Sequence, residues 1–173
     1  MCNVSREMLA VDKPNEDRVA FFNIVKETLL NHTCWHVNYG RVGAVFELAF
    51  EPKVRRKIPL TPSDYSDEFR HFEGEANLMV WCSWRLDSKE GPLASSDDES
   101  GSELLVRLIG LKVTALWINI STWDLILRFG DEFLVNVFCD HLPGNPSYDG
   151  NWYLTVKGSL LRAGPGDIFV VNE

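Results

Sequence analysis

Cysteine is scarce in this chain of 173 residues, and its four copies lie far apart. None of them shows the CxxC spacing that marks a zinc or redox motif. No apolar stretch is long enough to span a bilayer, and the first residues contain no apolar signal core. We therefore expect neither a disulfide-stapled secreted protein nor a membrane protein. The composition predicts a cytoplasmic protein with reduced thiols.

Basic residues are also in deficit, because 17 Lys and Arg stand against 25 Asp and Glu and give a net charge of −8. Much of the excess lies in residues 87–103, which hold six acids and a single Lys. A protein that binds duplex nucleic acid needs a basic face. We therefore expect no duplex nucleic-acid partner, and an acidic surface would favour a basic partner instead.

Sequence motifs that assemble an active site are missing as well. The chain has no GxSxG nucleophile elbow, and Gly164–Gly166 offers no phosphate-cradling spacing. One loop, residues 140–150, does place acids, a base and hydroxyls close together in sequence, at Asp140, His141, Ser147, Tyr148 and Asp149. A polar loop rich in turn formers explains this loop better than a catalytic triad does. No catalytic residue and no cofactor is therefore predicted.

The most informative pattern that is present occurs twice. Its two copies are Leu78–Cys82 followed by Trp84-Arg-Leu86, and Leu134–Cys139 followed after a loop by Trp152-Tyr-Leu154. Upstream of each copy, Phe46–Phe50 and Leu125–Phe129 superpose without a gap at an offset of 79 residues. The pairing predicts two related β-rich units. The alternative is one continuous sheet with accidental similarity, because any two antiparallel meanders share apolar alternation.

Apolar spacing predicts both helices and strands. Helices are expected over residues 15–31 and 103–109, the second ending at Gly110. Strands are expected at 33–39, 44–50, 75–86, 111–119, 122–129, 132–139, 151–157 and 167–171. Short connections between them require antiparallel pairing, while prolines interrupt residues 51–72. The predicted fold class is α+β and mainly antiparallel, with an N-terminal helix, a second short helix and two related β-rich halves.

The same patterns divide the chain into three parts. Residues 1–86 are expected to form the N-terminal helix and a β-rich half, and residues 103–173 a C-terminal β-rich half. Between them, residues 87–102 are polar, acidic and contain Gly and Pro, which is typical of a flexible linker or loop. The alternative is a single compact domain that contains both halves.

One histidine and cysteine cluster is a candidate metal site. His32, Cys34 and His36 alternate, so on a regular strand they would share one face and resemble half of a zinc site. A closed site needs a fourth ligand, which only His71, His141 or a distant Cys could supply. A sheet face with a buried thiol and two partly exposed imidazoles is the better interpretation, and no metal is predicted.

Two carboxylates and three tryptophans are the remaining residues that could have a functional role. Glu47 and Asp124 each lie between apolar residues, and either could act as an acid or base if it were desolvated. Outward positions on alternating strands favour solvated carboxylates instead. We expect Trp84 and Trp152 in the core, and Trp123 as the exposed aromatic that could anchor a partner.

Four segments carry a resemblance to a known type of protein. Leu78–Leu86, Leu108–Val113, Asp124–Phe129 and Asn151–Leu154 resemble a pattern in small uncharacterised bacterial proteins. Some proteins of that kind resemble immunity proteins, which lie beside secreted toxins and neutralise them. The resemblance covers roughly residues 74–160 and rests on core-type positions. It implies a protein-binding role and transfers no catalytic position.

The leading hypothesis is a non-enzymatic, cytoplasmic protein-binding module, with an immunity protein that blocks a basic toxin as its specific form. The predicted binding residues are Trp123, Asp131, Glu132, Asp140, His141, Tyr148 and Asp149. The acids among them would form one face that steers a basic partner. One alternative is a small-ligand-binding protein or hydrolase that uses loop 140–150 with His36 or His71. Another is a homo-oligomer joined through an exposed sheet edge.

Overall fold

The described part of the computed structural model covers residues 16–40, 45–61, 64–98, 101–142 and 150–164, and the backbone of 167–172. It has the α+β class predicted, with two antiparallel sheets, an N-terminal helix and a short second helix. In chain order the elements are α1 (Glu16–Leu29), β1 (Cys34–Tyr39), β2 (Phe46–Arg55), α2 (Asp67–His71), β3 (Phe72–Val80), β4 (Ser83–Ser88), β5 (Gly91–Ser95), a 3-10 helix (Gly101–Leu108), β6 (Val113–Ile118), β7 (Leu125–Phe129), β8 (Phe133–Phe138), β9 (Trp152–Val156), β10 (Ser159–Gly164) and β11 (Asp167–Asn172).

Neither sheet is built from one half of the chain. Sheet 1 has the strand order β1-β2-β3-β9-β10-β11, and sheet 2 has the order β5-β4-β8-β7-β6. Each sheet therefore contains a three-stranded meander from one half and further strands from the other half. The two predicted β-rich halves exist along the chain, but they exchange strands in space. The alternative of one continuous sheet is wrong for the described residues.

One pair of chain segments belongs to both sheets. The first segment runs from β3 into β4, and the second runs from β8 to β9. In sheet 1, β3 pairs with β9, and in sheet 2, β4 pairs with β8. We call these four strands the shared ribbon. The sequence pattern 75–86 predicts a single strand, but the strand breaks at Trp81–Cys82, because there the chain leaves one sheet for the other.

The doubled sequence pattern marks the two places where the shared ribbon changes sheet. Trp152 lies opposite Val80 in sheet 1, and Trp84 lies opposite Val137 in sheet 2. Both tryptophans are at most 2% exposed, so their predicted place in the core is confirmed. The two β-rich halves thus have matching roles, because each supplies strands to the sheet that contains the other half's three-stranded meander.

The core lies between the inward faces of the two sheets. The ring centroids of Phe46 and Trp84 are 5.4 Å apart, and those of Phe50 and Phe129 are 6.4 Å apart, so each pair joins one sheet to the other. Helix α1 packs on the same core through residues spaced four apart, which are Phe21, Val25 and Leu29. No helix in the described ranges is long and apolar enough to cross a membrane.

The predicted flexible linker at 87–102 is wrong for most of its length. Asp87 and Ser88 end β4, and β5 forms a hairpin with β4. Ala94 of β5 is buried in the core, and Leu93 packs against it. Pairing with β4 and the packing of these two apolar side chains hold the segment against the fold, while Glu90, Asp97 and Asp98 remain exposed.

The proline-interrupted segment 51–72 forms a layer on the outward side of sheet 1. β2 passes through Pro52 at an irregularity between Phe50 and Lys53, where the missing N–H of proline is tolerated. Gly74 on β3 faces this irregularity, because a Cβ there would lie 2.6 Å from the carbonyl oxygen of Phe50. Ser66 caps α2, a helix that the sequence patterns missed. The layer's small apolar cluster contains Trp35, Ala49 and Phe69, with Leu60, Tyr65 and Phe72 against it.

We predict that the shared ribbon is equally critical in both sheets. Leu154 and Leu86 occupy matching inward positions and are fully buried. Leu154→Ala and Leu86→Ala should each lower the free energy of unfolding by about 2–5 kcal/mol, measured by urea denaturation. Thr155→Ala, at the neighbouring exposed position, is the control and should change it by less than about 1 kcal/mol. A small effect of either leucine substitution would contradict the matching roles.

Candidate binding surfaces

The outward side of sheet 2 carries exposed aromatic side chains. Trp117 on β6 is 48% exposed, and Phe138 on β8 is 40% exposed. Ile126 lies opposite Trp117, and Leu134 lies opposite Arg128, on the same side of the sheet. Side chains alternate along a strand, so these residues point away from the core. We call this surface the aromatic face, which consists of Arg85, Trp117, Ile126, Arg128, Leu134 and Phe138.

Two guanidinium groups lie over the rings of the aromatic face. The guanidinium carbon of Arg128 is 5.8 Å from the Trp117 ring centroid, and that of Arg85 is 5.9 Å from the Phe138 centroid. Arg85 also donates two hydrogen bonds to Asp87, at 2.7 and 2.9 Å, and this partner raises the pKa of Arg85. Trp and Arg are the side chains that most often dominate the energetics of protein interfaces. The aromatic face therefore has the composition of a docking surface.

An acidic rim borders one end of this face. The β4–β5 turn and the β7–β8 turn adjoin, because Ser88 pairs with Phe133. We define the acidic rim as Glu90, Asp131 and Glu132, the acids of these two turns. Asp131 and Glu132, predicted from the sequence as binding residues, thus stand next to acids of the 87–103 segment.

Asp140 does not belong to this rim. It follows the last residue of β8, a strand of six residues, while Asp131 and Glu132 precede the first. At about 3.4 Å per residue, the two ends are roughly 17 Å apart. The structure therefore places Asp140 apart from Asp131 and Glu132, and the single acidic face that contains all three stays a prediction. Asp149, its fourth predicted member, and Tyr148 lie outside the described residues.

Asp140 and His141 hold the bend of the shared ribbon. The Asp140 carboxylate accepts hydrogen bonds from the backbone N–H and the hydroxyl of Ser83. The His141 N–H donates to the Asn151 side chain at 3.0 Å, and its Nδ1 lies 3.2 Å from the carbonyl oxygen of Gly150. Asp140 bonds Ser83 directly, without an imidazole between them, so these groups do not form a catalytic triad.

Trp123 is buried, and its predicted exposure is wrong. It is 1% exposed, and its ring centroid lies 5.3 Å from that of Phe21. The cause is a positive φ of 67° in the β6–β7 connection, which departs from the strand alternation assumed from the sequence. Its carbonyl oxygen accepts hydrogen bonds from Trp152 Nε1 at 2.9 Å and from Cys139 Sγ at 3.0 Å. Trp123 is thus a core residue that joins α1 to the shared ribbon.

Asp124 is engaged rather than simply solvated. Its Oδ1 accepts a hydrogen bond from the Cys139 N–H at 2.7 Å, and its Oδ2 accepts one from the Thr122 hydroxyl at 2.8 Å. The carboxylate therefore ties the β6–β7 connection to the end of β8. Its role is structural.

Glu47 is the charged residue whose surroundings the sequence did not reveal. It points outward from β2 as predicted, but the expectation of a solvated carboxylate is wrong. Burial raises the pKa of Glu47, and the charge of Glu73 adds to this, whereas a hydrogen bond from Asn38 and the charge of Arg56 lower the pKa. The outward direction could be predicted from alternation, but the covering layer could not. A desolvated carboxylate in a cleft is a candidate for binding or proton transfer.

The predicted shared face of His32, Cys34 and His36 is wrong. The pairing of β1 with β2 shifts register between Cys34 and His36. Cys34 lies in the core, and burial raises its pKa to about 12. His36 instead stacks on Phe69 outside the sheet, with ring centroids 3.9 Å apart, and burial lowers its pKa. Among the described residues, no group of three His, Cys, Asp or Glu side chains is placed to hold a metal ion.

The histidines that the small-ligand-binding or hydrolase hypothesis requires do not lie close together. His36 lies on β1, which is three strand spacings, or about 14 Å, from β9. His71 ends α2, where its Nδ1 lies 2.9 Å from the carbonyl oxygen of Asp67. His141 stands at the bend of the shared ribbon. The structure therefore does not bring His36 or His71 together with the described part of loop 140–150.

Comparisons of the chain with known protein families, with curated proteins and with solved structures find no match.

We predict that Glu47 makes stability depend on pH. Because its pKa is raised in the folded protein, its stabilising contribution is complete below the unfolded pKa and is lost as the pH rises through the folded pKa. Relative to Glu47→Gln, the wild type should therefore become less stable as the pH rises from about 4 towards neutrality. Urea denaturation at a series of pH values measures the difference. Glu90→Gln, at an exposed turn, is the control, and its difference in stability from the wild type should not change with pH. A difference between the wild type and Glu47→Gln that is equally independent of pH would contradict the prediction.

Proposed function

We propose that this protein is a non-enzymatic, protein-binding module whose partner docks on the aromatic face of sheet 2. The observation that carries the proposal is the exposure of Trp117 and Phe138 on a surface that also presents two arginines. Exposed aromatic side chains gain free energy when a partner buries them. Scattered apolar residues on a surface are ordinary, but these form a continuous group by strand register.

Charge supports a basic partner. The acidic rim borders the aromatic face, and the whole chain carries a net charge of −8. Complementary charge at the edge of an interface accelerates association and favours correct partners. Basic side chains at the periphery of a partner would therefore meet Glu90, Asp131 and Glu132, while its apolar centre covers Trp117.

The specific form of this function that we propose is that of an immunity protein. Its partner would be a basic toxin, and the complex would form in the cytoplasm. The resemblance of residues 74–160 to immunity-protein-like sequences supports this form, as does the charge of the acidic rim. The aromatic face itself supports the broader function of binding a protein.

The first experiment identifies the partner and measures its affinity. The immobilised protein would capture partners from the source cell, and the recovered protein would then be purified and titrated by calorimetry. Trp117→Ala combined with Phe138→Ala should weaken the purified complex by about 30-fold or more, because aromatic anchors that a partner buries contribute about 2 kcal/mol or more. Affinity should also fall as salt is raised, since the acidic rim is exposed.

Ile58→Ala is the control, because Ile58 is 81% exposed and lies in the segment 51–72, outside the aromatic face. It should leave the affinity unchanged. The proposal fails if the double variant binds as tightly as the wild type, or if Ile58→Ala is equally damaging. It also fails if light scattering shows that the aromatic face joins two copies of this chain instead.

A further inference from the structure

A second candidate site lies on the other sheet. A cavity of about 260 Å³ opens on the outward side of sheet 1, and its lining is largely apolar. Glu47, Met79 and Tyr153 occupy successive cross-strand positions on β2, β3 and β9, so they form one row across the cavity. Trp81 and Leu160 also line it. The cavity therefore includes the outward residues of the shared ribbon in sheet 1.

Glu47 is the one lining residue with a side chain charged at neutral pH among the residues described around this cavity. The basic side chain whose charge lowers the pKa of Glu47 is that of Arg56, and it is engaged with other groups. Nη1 of Arg56 lies 2.7 Å from Glu73 Oε2, and its Nε donates to the carbonyl oxygens of Phe69 and Phe72. A carboxylate removed from water is strongly stabilised when a cation comes into contact with it. Glu47 already accepts a hydrogen bond from Asn38, and a positive charge in the cavity would complement its carboxylate further.

The aromatic lining suits the same chemistry. Trp81 remains 44% exposed, and its ring lies 6.4 Å from that of Tyr153 at an interplanar angle of 72°. Faces of Trp and Tyr attract cations through their π electrons, and their area also binds aliphatic carbon. The Met79 and Leu160 side chains add apolar surface without charge.

Size limits the ligand. Sites for drug-sized molecules measure about 300–1,000 Å³, which exceeds this cavity. A short chain of about four carbons that ends in one amino group suits the available volume. An anion would be repelled by Glu47, and a neutral apolar ligand would leave the Glu47 carboxylate with the hydrogen bond from Asn38 but with no contacting cation.

We propose that this cavity binds an alkylammonium group, whose amino group contacts the Glu47 carboxylate while its chain packs against Met79, Trp81 and Leu160. The site is on the opposite sheet from the aromatic face and does not depend on the proposed protein partner. The group would come from a small amine or from the side chain of a lysine, which share this chemistry.

The test uses the wild-type protein and three probes of equal chain length. n-Butylammonium, 1-butanol and butyrate are titrated separately while the indole N–H signals are followed by NMR, with Trp81→Phe assigning the Trp81 signal. Butylammonium should shift the Trp81 signal saturably, with a dissociation constant in the range of about 1–10 mM expected for so few atoms. The other two probes should bind at least about tenfold more weakly, because they lack the charge-assisted contact. Equal binding of 1-butanol, or no saturable shift with butylammonium, would overturn the proposal.

Two variants assign the charge and the location. Glu47→Gln should weaken butylammonium at least about tenfold, and its spectrum reports whether the fold is intact. Trp117→Phe, which changes an exposed tryptophan on the other sheet, should bind like the wild type. Affinity in the wild type should rise with pH through the titration of Glu47, whose charged neighbours are Arg56 and Glu73. Tight binding to Glu47→Gln would show that the carboxylate is not the recognition group.

A lysine-containing peptide distinguishes the two sources of the amine. N-acetyl-lysine-methylamide should bind with the same dependence on Glu47 if a protein side chain fits the cavity. If only the free amine binds, the ligand is a small molecule. Both results preserve the alkylammonium site, and loss of both would refute it.

Discussion

Both sheets depend on the shared ribbon, whose two chain segments pair with each other once in each sheet. β3 pairs with β9 in the middle of sheet 1, and β4 pairs with β8 in sheet 2. At the bend between these pairings, Trp152 Nε1 and the Cys139 thiol donate to the same carbonyl oxygen, that of Trp123. Cys139 also forms a hydrogen bond with Cys82, which together with burial raises the pKa of Cys82. Because the ribbon's inward side chains fill the core, its outward side chains are the ones that reach the surface.

The two outward faces differ because only the first unit contains the segment 51–72. In sheet 1 this segment covers Trp35 and is held by ion pairs, Lys53 with Glu68 and Arg56 with Glu73. Beside this layer, Glu47 lines a cavity of about 260 Å³ together with residues of β3, β9 and β10. Sheet 2 has no such layer among its described residues, so Trp117 and Phe138 remain open to a large partner. One fold thereby offers a small pocket on one side and a broad surface on the other.

Local alternation explains which parts of this structure could be predicted from the sequence. The antiparallel strands and the core positions of Trp84 and Trp152 follow from periodicity that each segment carries by itself. The exchange of strands between the sheets does not follow from this periodicity, because apolar alternation does not indicate which strands pair with one another. Residues 75–86 resemble one strand since Trp81 and Cys82 are themselves apolar.

The candidate sites were harder to predict for the same reason. The predicted exposure of Trp123 is wrong because this residue has a positive φ. The predicted shared face of Cys34 and His36 is wrong because the strand register shifts between them. The burial that raises the pKa of Glu47 depends on the tertiary arrangement around β2, which strand alternation does not indicate.

The central claim is that the shared ribbon makes the two sheets one cooperative unit. Native-state hydrogen exchange of the wild type and Leu154→Ala, followed by NMR over a range of low denaturant concentrations, tests it most directly. The account predicts that core amides of β2 in sheet 1 and of β7 in sheet 2 share one opening free energy, and that the substitution lowers both by the same amount. If the substitution in sheet 1 lowers protection of β2 while β7 keeps its wild-type protection, the sheets are independent and the claim is wrong.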